Sequence, residues 1–143
     1  MMKFLTPAAI LLRRLDVNNS PKKISIPVPR GMLFLYDRSA GGVEIPTYRQ
    51  GEVVSSSKTA ISIATISDFD GETSIEIAKS KSFIPKQLVE LFSGELYLEN
   101  RVLNLCLMAD EPISSITTEY ETVDIKIYGN KVRFPTSIFI LIE

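Results

Sequence analysis

Thr59-Ala60-Ile61-Ser62-Ile63-Ala64-Thr65-Ile66-Ser67-Asp68-Phe69-Asp70-Gly71-Glu72-Thr73-Ser74-Ile75-Glu76-Ile77-Ala78 is the stretch that decides the class of this chain. Its period of two sets Ile61, Ile63 and Thr65 on one face and Ser62, Ala64 and Ile66 on the other. Asp70-Gly71 supplies the positive φ that a tight turn needs. Two alternating runs around such a pair predict a β-hairpin.

Working outward, Met32 to Tyr36 reads as a strand closed by the turn-prone residues Asp37 to Gly42, and Val43 to Ile45 pairs before Pro46 interrupts. Prolines 27 and 29 keep Ile24 to Arg30 extended and deny it the middle of a sheet, so it is an edge or a connector. Thr6-Pro7 suits a helix start, with Ala8 to Leu15 as two turns or, equally, as a sheet edge. Asn18-Asn19-Ser20-Pro21 is turn chemistry and Ser55-Ser56-Ser57 marks a loop. Downstream, Pro85 opens a short helix in which Leu88, Val89, Leu91 and Phe92 have helical spacing and Ser93-Gly94 is the stop.

Two further hairpins are predicted. One joins Glu95–Leu98 to Val102–Leu105 around Glu99-Asn100, and the other joins Val123–Tyr128 to Val132–Phe134 across Gly129-Asn130. The last run, Ser137 to Ile142, is apolar on both faces, so it is either a covered central strand or one that pairs with a second copy of the chain. The sum is an all-β fold, an antiparallel two-sheet β-sandwich with one short helix. It divides into a basic N-terminal arm or edge segment, 1–30, and a sandwich domain, 31–143.

A chain of 143 residues is long enough for one core that buries roughly two-thirds of the unfolded surface. No apolar run approaches the roughly 20 residues of a membrane-spanning helix. The single cysteine, Cys106, lies within an apolar run and has no partner for an internal disulfide, which favours a reducing compartment. Arg13-Arg14 follow the short apolar run Pro7–Leu12 instead of preceding it, the reverse of an export signal. A cytoplasmic location is expected.

The net charge of −1 hides a division. Lys3, Arg13, Arg14, Lys22, Lys23 and Arg30 oppose only Asp16 in the arm, so the body is acidic. Most of that excess lies between residues 90 and 124, where Glu90, Glu95, Glu99, Asp110, Glu111, Glu119, Glu121 and Asp124 meet Arg101 alone. Such a run is either a solvated face or a docking patch for a basic partner, since complementary fields speed encounter and select partners. Nucleic acid is not the expected partner: there is no Trp, and no cluster of Lys and Arg interleaved with aromatic platforms.

The chain contains no histidine, which removes Ser-His-Asp and Cys-His catalysis, histidine metal clusters and a proton switch near neutrality. Ser55-Ser56-Ser57-Lys58 has the S-x-x-K form of a serine acyl-enzyme but falls in a loop, without the accompanying K-T-G. Glu119 and Glu121 share one face of a strand, yet no apolar pocket marks either as an acid or base. Gly41-Gly42 lacks the rest of a phosphate loop. No cofactor and no enzymatic activity are expected. Asp68, Asp70 and Glu72 form either a solvated turn or a calcium-binding loop.

The order of segments is similar to one family. Leu33-Phe34-Leu35-Tyr36-Asp37, an aromatic before Gln50-Gly51, Thr59-Ala60-Ile61-Ser62-Ile63-Ala64-Thr65, and Asp70-Gly71 before Ile75-Glu76-Ile77 resemble the competence protein J family of bacterial nuclease inhibitors. The likeness spans residues 32 to 108, with Tyr48 standing where Trp is expected. It implies a small all-β protein that binds a nuclease and blocks it. The partner expected is therefore a protein, a basic nuclease, with Glu95, Glu99, Glu119, Glu121 and Asp124 as the docking face. Tyr48, beside Arg49, is either an interface anchor or a ring packed on the sheet. Alternatives are a ligand- or calcium-binding sandwich using Asp68, Asp70 and Glu72, or a subunit that self-associates as a homodimer through Ser137–Ile142.

Overall fold

The computed structural model describes residues 22–47, 51–79, 85–108 and 111–143. The helix or edge expected over 8–15, the turn at 18–21 and Tyr48 lie outside them. The strands are β1 (Lys22–Ile26), β2 (Met32–Tyr36), β3 (Val54–Ser56), β4 (Ala60–Ala64), β5 (Thr73–Lys79), β6 (Val89–Tyr97), β7 (Val102–Leu107), β8 (Glu111–Thr117), β9 (Thr122–Gly129) and β10 (Ser137–Ile142). They form two five-stranded sheets, β1-β5-β10-β9-β6 and β3-β4-β2-β7-β8, packed face to face.

Period-two alternation buries one side of each strand. Ile61 and Ile63 of β4 and Leu33 and Leu35 of β2 point into the core from one sheet, and Ile75, Ile77, Ile125, Ile127, Ile138 and Ile140 enter it from the other. Each such side chain contributes about 1.5–3 kcal/mol through removal from water. Lysines tie the sandwich along one flank, with Lys22 Nζ donating to the Ser115 carbonyl (3.3 Å) and Lys79 Nζ to that of Thr117 (3.1 Å). On the other flank Tyr97 N–H donates to the Lys58 carbonyl (2.9 Å), and the ammonium of Lys58 lies 5.7 Å from the Tyr97 ring centroid.

Several expectations are corrected. Residues 59–78 hold two strands but no hairpin: β4 and β5 lie in different sheets, and their isoleucines meet across the core. A 3-10 turn, Asp68–Asp70, capped by the Ser67 hydroxyl accepting from Phe69 N–H (3.0 Å), carries the chain from one sheet to the other. Gly71 does take a positive φ, +130°. Glu95–Leu98 and Val102–Leu105 are likewise split between sheets. The third predicted hairpin exists with a different second arm. Val132–Phe134 is a bent loop, and β9 pairs instead with β10. The Asn130 carboxamide closes this loop by accepting from Thr136 and Ser137 N–H (3.0 and 3.1 Å).

The short helix is absent, and Val89–Tyr97 is the long edge strand β6. A bulge between Glu90 and Phe92 advances the register, so that Leu91 and Phe92 both pack on the core. That extra residue is what gave a strand helical spacing. Ser55–Ser56 is strand rather than loop, and Val43–Ile45 forms no strand. The sandwich is not purely antiparallel either, because β10 runs parallel to β5. β10 is the covered central strand. Ile138, Ile140 and Ile142 face the core, while Phe139 and Leu141 join Ala78, Leu88 and Tyr128 on the outer side. Its two backbone edges are taken by β5 and β9, so self-pairing through Ser137–Ile142 is not open to it. Ile24–Ile26, expected as edge or connector, lies in the edge strand β1.

Candidate functional site

The β6–β9 register sets Glu95 directly opposite Asp124. Asp124 in turn exchanges backbone hydrogen bonds with Glu143, the residue after β10, at 3.0 and 2.9 Å. Alternation puts all three on the outer face, abreast on strands spaced about 4.8 Å apart. Like charges placed opposite one another oppose sheet pairing, so this row is maintained at a cost in stability. The row one step inward carries Lys126 between Ser93 and Leu141.

Two loops extend the cluster. Leu98 N–H donates to the Glu121 carbonyl (2.6 Å) and Thr118 N–H to that of Arg101 (2.8 Å), which ties the β6–β7 and β8–β9 connections together. Glu99, Glu119 and Glu121, all exposed, thereby reach the end of the sandwich that carries Glu95 and Asp124. The five carboxylates of the expected docking face occupy one end of the molecule. Tyr120, 69% exposed, stands between Glu119 and Glu121, in a loop fixed by the Thr118 hydroxyl donating to the Tyr120 carbonyl (2.8 Å).

Beneath this end lies a residue that the sequence places in a turn and at the close of the family-like segment 33–37, with no role of its own. Asp37, 1% exposed, accepts from Asn100 N–H through Oδ2 (2.7 Å), and from both the N–H (3.0 Å) and the hydroxyl of Ser39 through Oδ1. Burial alone pushes its pKa up. Hydrogen bonds from the Ser39 hydroxyl and from the backbone of Asn100, Ser39 and Val102 outweigh burial and hold the carboxyl below its ordinary value. Asn100 Nδ2 also donates to Ser39 Oγ (2.9 Å), so Asp37 fixes the turn that presents Glu99. The spacing Asp37-Arg38-Ser39 is an Asx-turn signature, the signal that identifies this residue. Glu143, the other member missed, is visible only through the β9–β10 register.

The acidic turn does not gather as a cation site. Glu72 Oε1 accepts from Ser25 Oγ (3.1 Å), and among the described residues no group of three Asp, Glu, His or Cys stands close enough to hold a metal ion. Cys106 is fully buried, and burial pushes its thiol up to about 11 despite the opposing charge effect of Arg38, so it is a neutral packing residue at pH 7. No helix among the described residues is long and apolar enough to cross a membrane.

No family model matches the chain, and neither does any curated protein. Solved structures do. The fold is similar to that of ComJ, inhibitor of the DNA degrading activity of NucA, from Bacillus subtilis. That likeness has a TM-score of 0.53 and 9% identity, and covers 86% of this chain and 93% of ComJ. The protein of crocagin biosynthetic gene J is similar at TM-score 0.56 and 8% identity, over 86% of this chain and 96% of that one. At such identities the likeness is one of fold, and it agrees with the family resemblance read from the segment order.

Proposed function

We propose that this chain is a non-catalytic protein-binding module that docks its acidic end on a basic protein, in the manner of an inhibitor of a DNA-degrading nuclease. One observation carries the reading. Glu95, Glu99, Glu119, Glu121 and Asp124, scattered over thirty residues of sequence, meet at one end of the sandwich, where Glu143 joins them. A nuclease cleft that receives phosphates is basic, and a fixed array of carboxylates offers it the same sign of charge. Exposed Tyr120, set among those carboxylates, supplies the aromatic anchor favoured at interface centres. The likeness in fold to an inhibitor of a nuclease supports the choice of partner, and the absence of histidine removes the commonest catalytic designs.

The test is a DNA-degradation assay in which the chain is titrated against a nuclease of the NucA kind. Wild type is expected to slow cleavage. Reversal of two adjacent charges, Glu95→Lys with Asp124→Lys, raises the concentration needed by about tenfold at low salt and by less at high salt. Cleavage that proceeds unchanged at every dose of wild type ends the proposal.

A further inference from the structure

A second surface lies on the flank of the sandwich, along the β3 edge, with the β3–β4 turn at its upper limit beside the acidic end. Among the described residues β3 is the edge of its sheet, bonded only to β4. The bonds Ala64 N–H to Val53 carbonyl (2.7 Å) and Ser57 N–H to Ala60 carbonyl (2.8 Å) fix the phase of the ladder. Val53, Ser55 and Ser57 therefore direct their backbone groups toward β4, and Val54 and Ser56 direct theirs outward. Beside that open edge is a groove of about 500 Å³, whose lining includes Glu44, Ile45, Pro46, Glu52, Val54 and Ser56.

The groove is built by a clamp. Glu44 N–H donates to Thr59 Oγ1 (2.9 Å), and the Glu44 carbonyl accepts from the Ser57 hydroxyl, so one residue grips the β3–β4 turn through both of its backbone groups. Beyond the clamp, Ile45 and Pro46 line the groove together with β3. A polar edge, an apolar wall and two carboxylates, Glu44 and Glu52, line the same space.

We infer that this groove receives an extended, basic peptide segment of a partner protein, which adds to β3 as a further strand. Backbone N–H and C=O of Val54 and Ser56 bind the peptide main chain, as in other strand-addition interfaces. Lys or Arg side chains of the peptide reach Glu44 and Glu52, and an apolar residue between them lies on Ile45. The groove shares no lining residue with the carboxylates of the acidic end and does not depend on the reading proposed for them.

The probe is a fluorescein-labelled peptide of alternating lysine and valine, with alternating glutamate and valine as its counterpart. Anisotropy is expected to show saturable binding of the lysine peptide and at least tenfold weaker binding of the glutamate peptide. Amide resonances of Val54 and Ser56 shift on titration. Methylating alternate backbone nitrogens of the probe, which leaves the protein untouched, weakens binding by about tenfold for each bond lost. Ser56→Pro removes an outward N–H that β4 does not use and weakens binding to the same degree. Glu44→Gln with Glu52→Gln erases the preference between the two peptides. Lack of binding at millimolar probe, or binding indifferent to N-methylation, overturns the inference. The charge reversals at Glu95 and Asp124 leave this binding unchanged, so failure of either proposal is read separately.

Discussion

The two ends of the sandwich are supplied by the same strands and are built on different plans. At the acidic end, loops bond to one another around a buried carboxylate, and charge is displayed from a hydrogen-bonded frame. At the other end the loops 66–71 and 130–136 meet through Ile66 N–H and the Pro135 carbonyl (3.3 Å), and Phe69, Val132 and Phe134 stand exposed among Arg30, Lys131 and Arg133. Arg30 and Phe134 both hold positive φ there, at 56° and 47°. Both ends satisfy polar groups locally, the acidic one through Asp37 and the other through Asn130 and Ser67, but among the described residues only the acidic one does so with a buried carboxylate. The other end adds a close backbone fit at Gly31, whose φ is +67° and whose place leaves 2.5 Å between an added Cβ and the Thr65 carbonyl oxygen.

The largest effect is expected at the acidic end. Asp37→Ala leaves the part-buried N–H groups of Ser39 and Asn100 without their carboxylate acceptor and costs roughly 2–3 kcal/mol, read as a lower urea midpoint. Because the folded pKa of Asp37 lies below its unfolded value, its contribution is complete above about pH 4 and is lost as pH falls through the folded pKa. Asp37→Asn should flatten that acid limb. Gly31→Ala comes next, at about 2 kcal/mol or more, since both the positive φ and the contact with Thr65 oppose a methyl group. In the opposite direction, Glu95→Gln relieves repulsion with Asp124 and raises stability by about 0.5 kcal/mol while weakening partner binding. Smallest of all, Phe69→Ser, at a side chain 94% exposed, shifts the midpoint by less than about 0.5 kcal/mol. A large loss there would mean that this end is packed and not merely displayed.

Much of this architecture is legible in the sequence, and the gaps have a common cause. Alternation says that Ile61, Ile63, Ile75 and Ile77 face a core, and they do. It is silent on whether two successive strands lie side by side or face each other across that core, because both arrangements bury the same residues. The turns at Asp68–Asp70 and Glu99-Asn100 read as hairpin tips for this reason, although each joins strands of different sheets. The bulge at Leu91 imitates a helix because one inserted residue changes the period locally. Charge counting finds Glu95, Glu99, Glu119, Glu121 and Asp124, but their meeting depends on register between strands distant in sequence. Glu143 and Asp37 show the limit, the first joining through pairing and the second acting through bonds to a turn some sixty residues away.

The position of β10 has a consequence for assembly. This last strand is inserted between β5, to which it is parallel, and β9. Until residues 137–142 dock, the pairs β1–β5 and β9–β6 are not joined in one sheet among the described residues, and the core lacks Ile138, Ile140 and Ile142. Closing this sheet therefore waits on a parallel contact that spans more than sixty residues, the kind of pairing that slows folding.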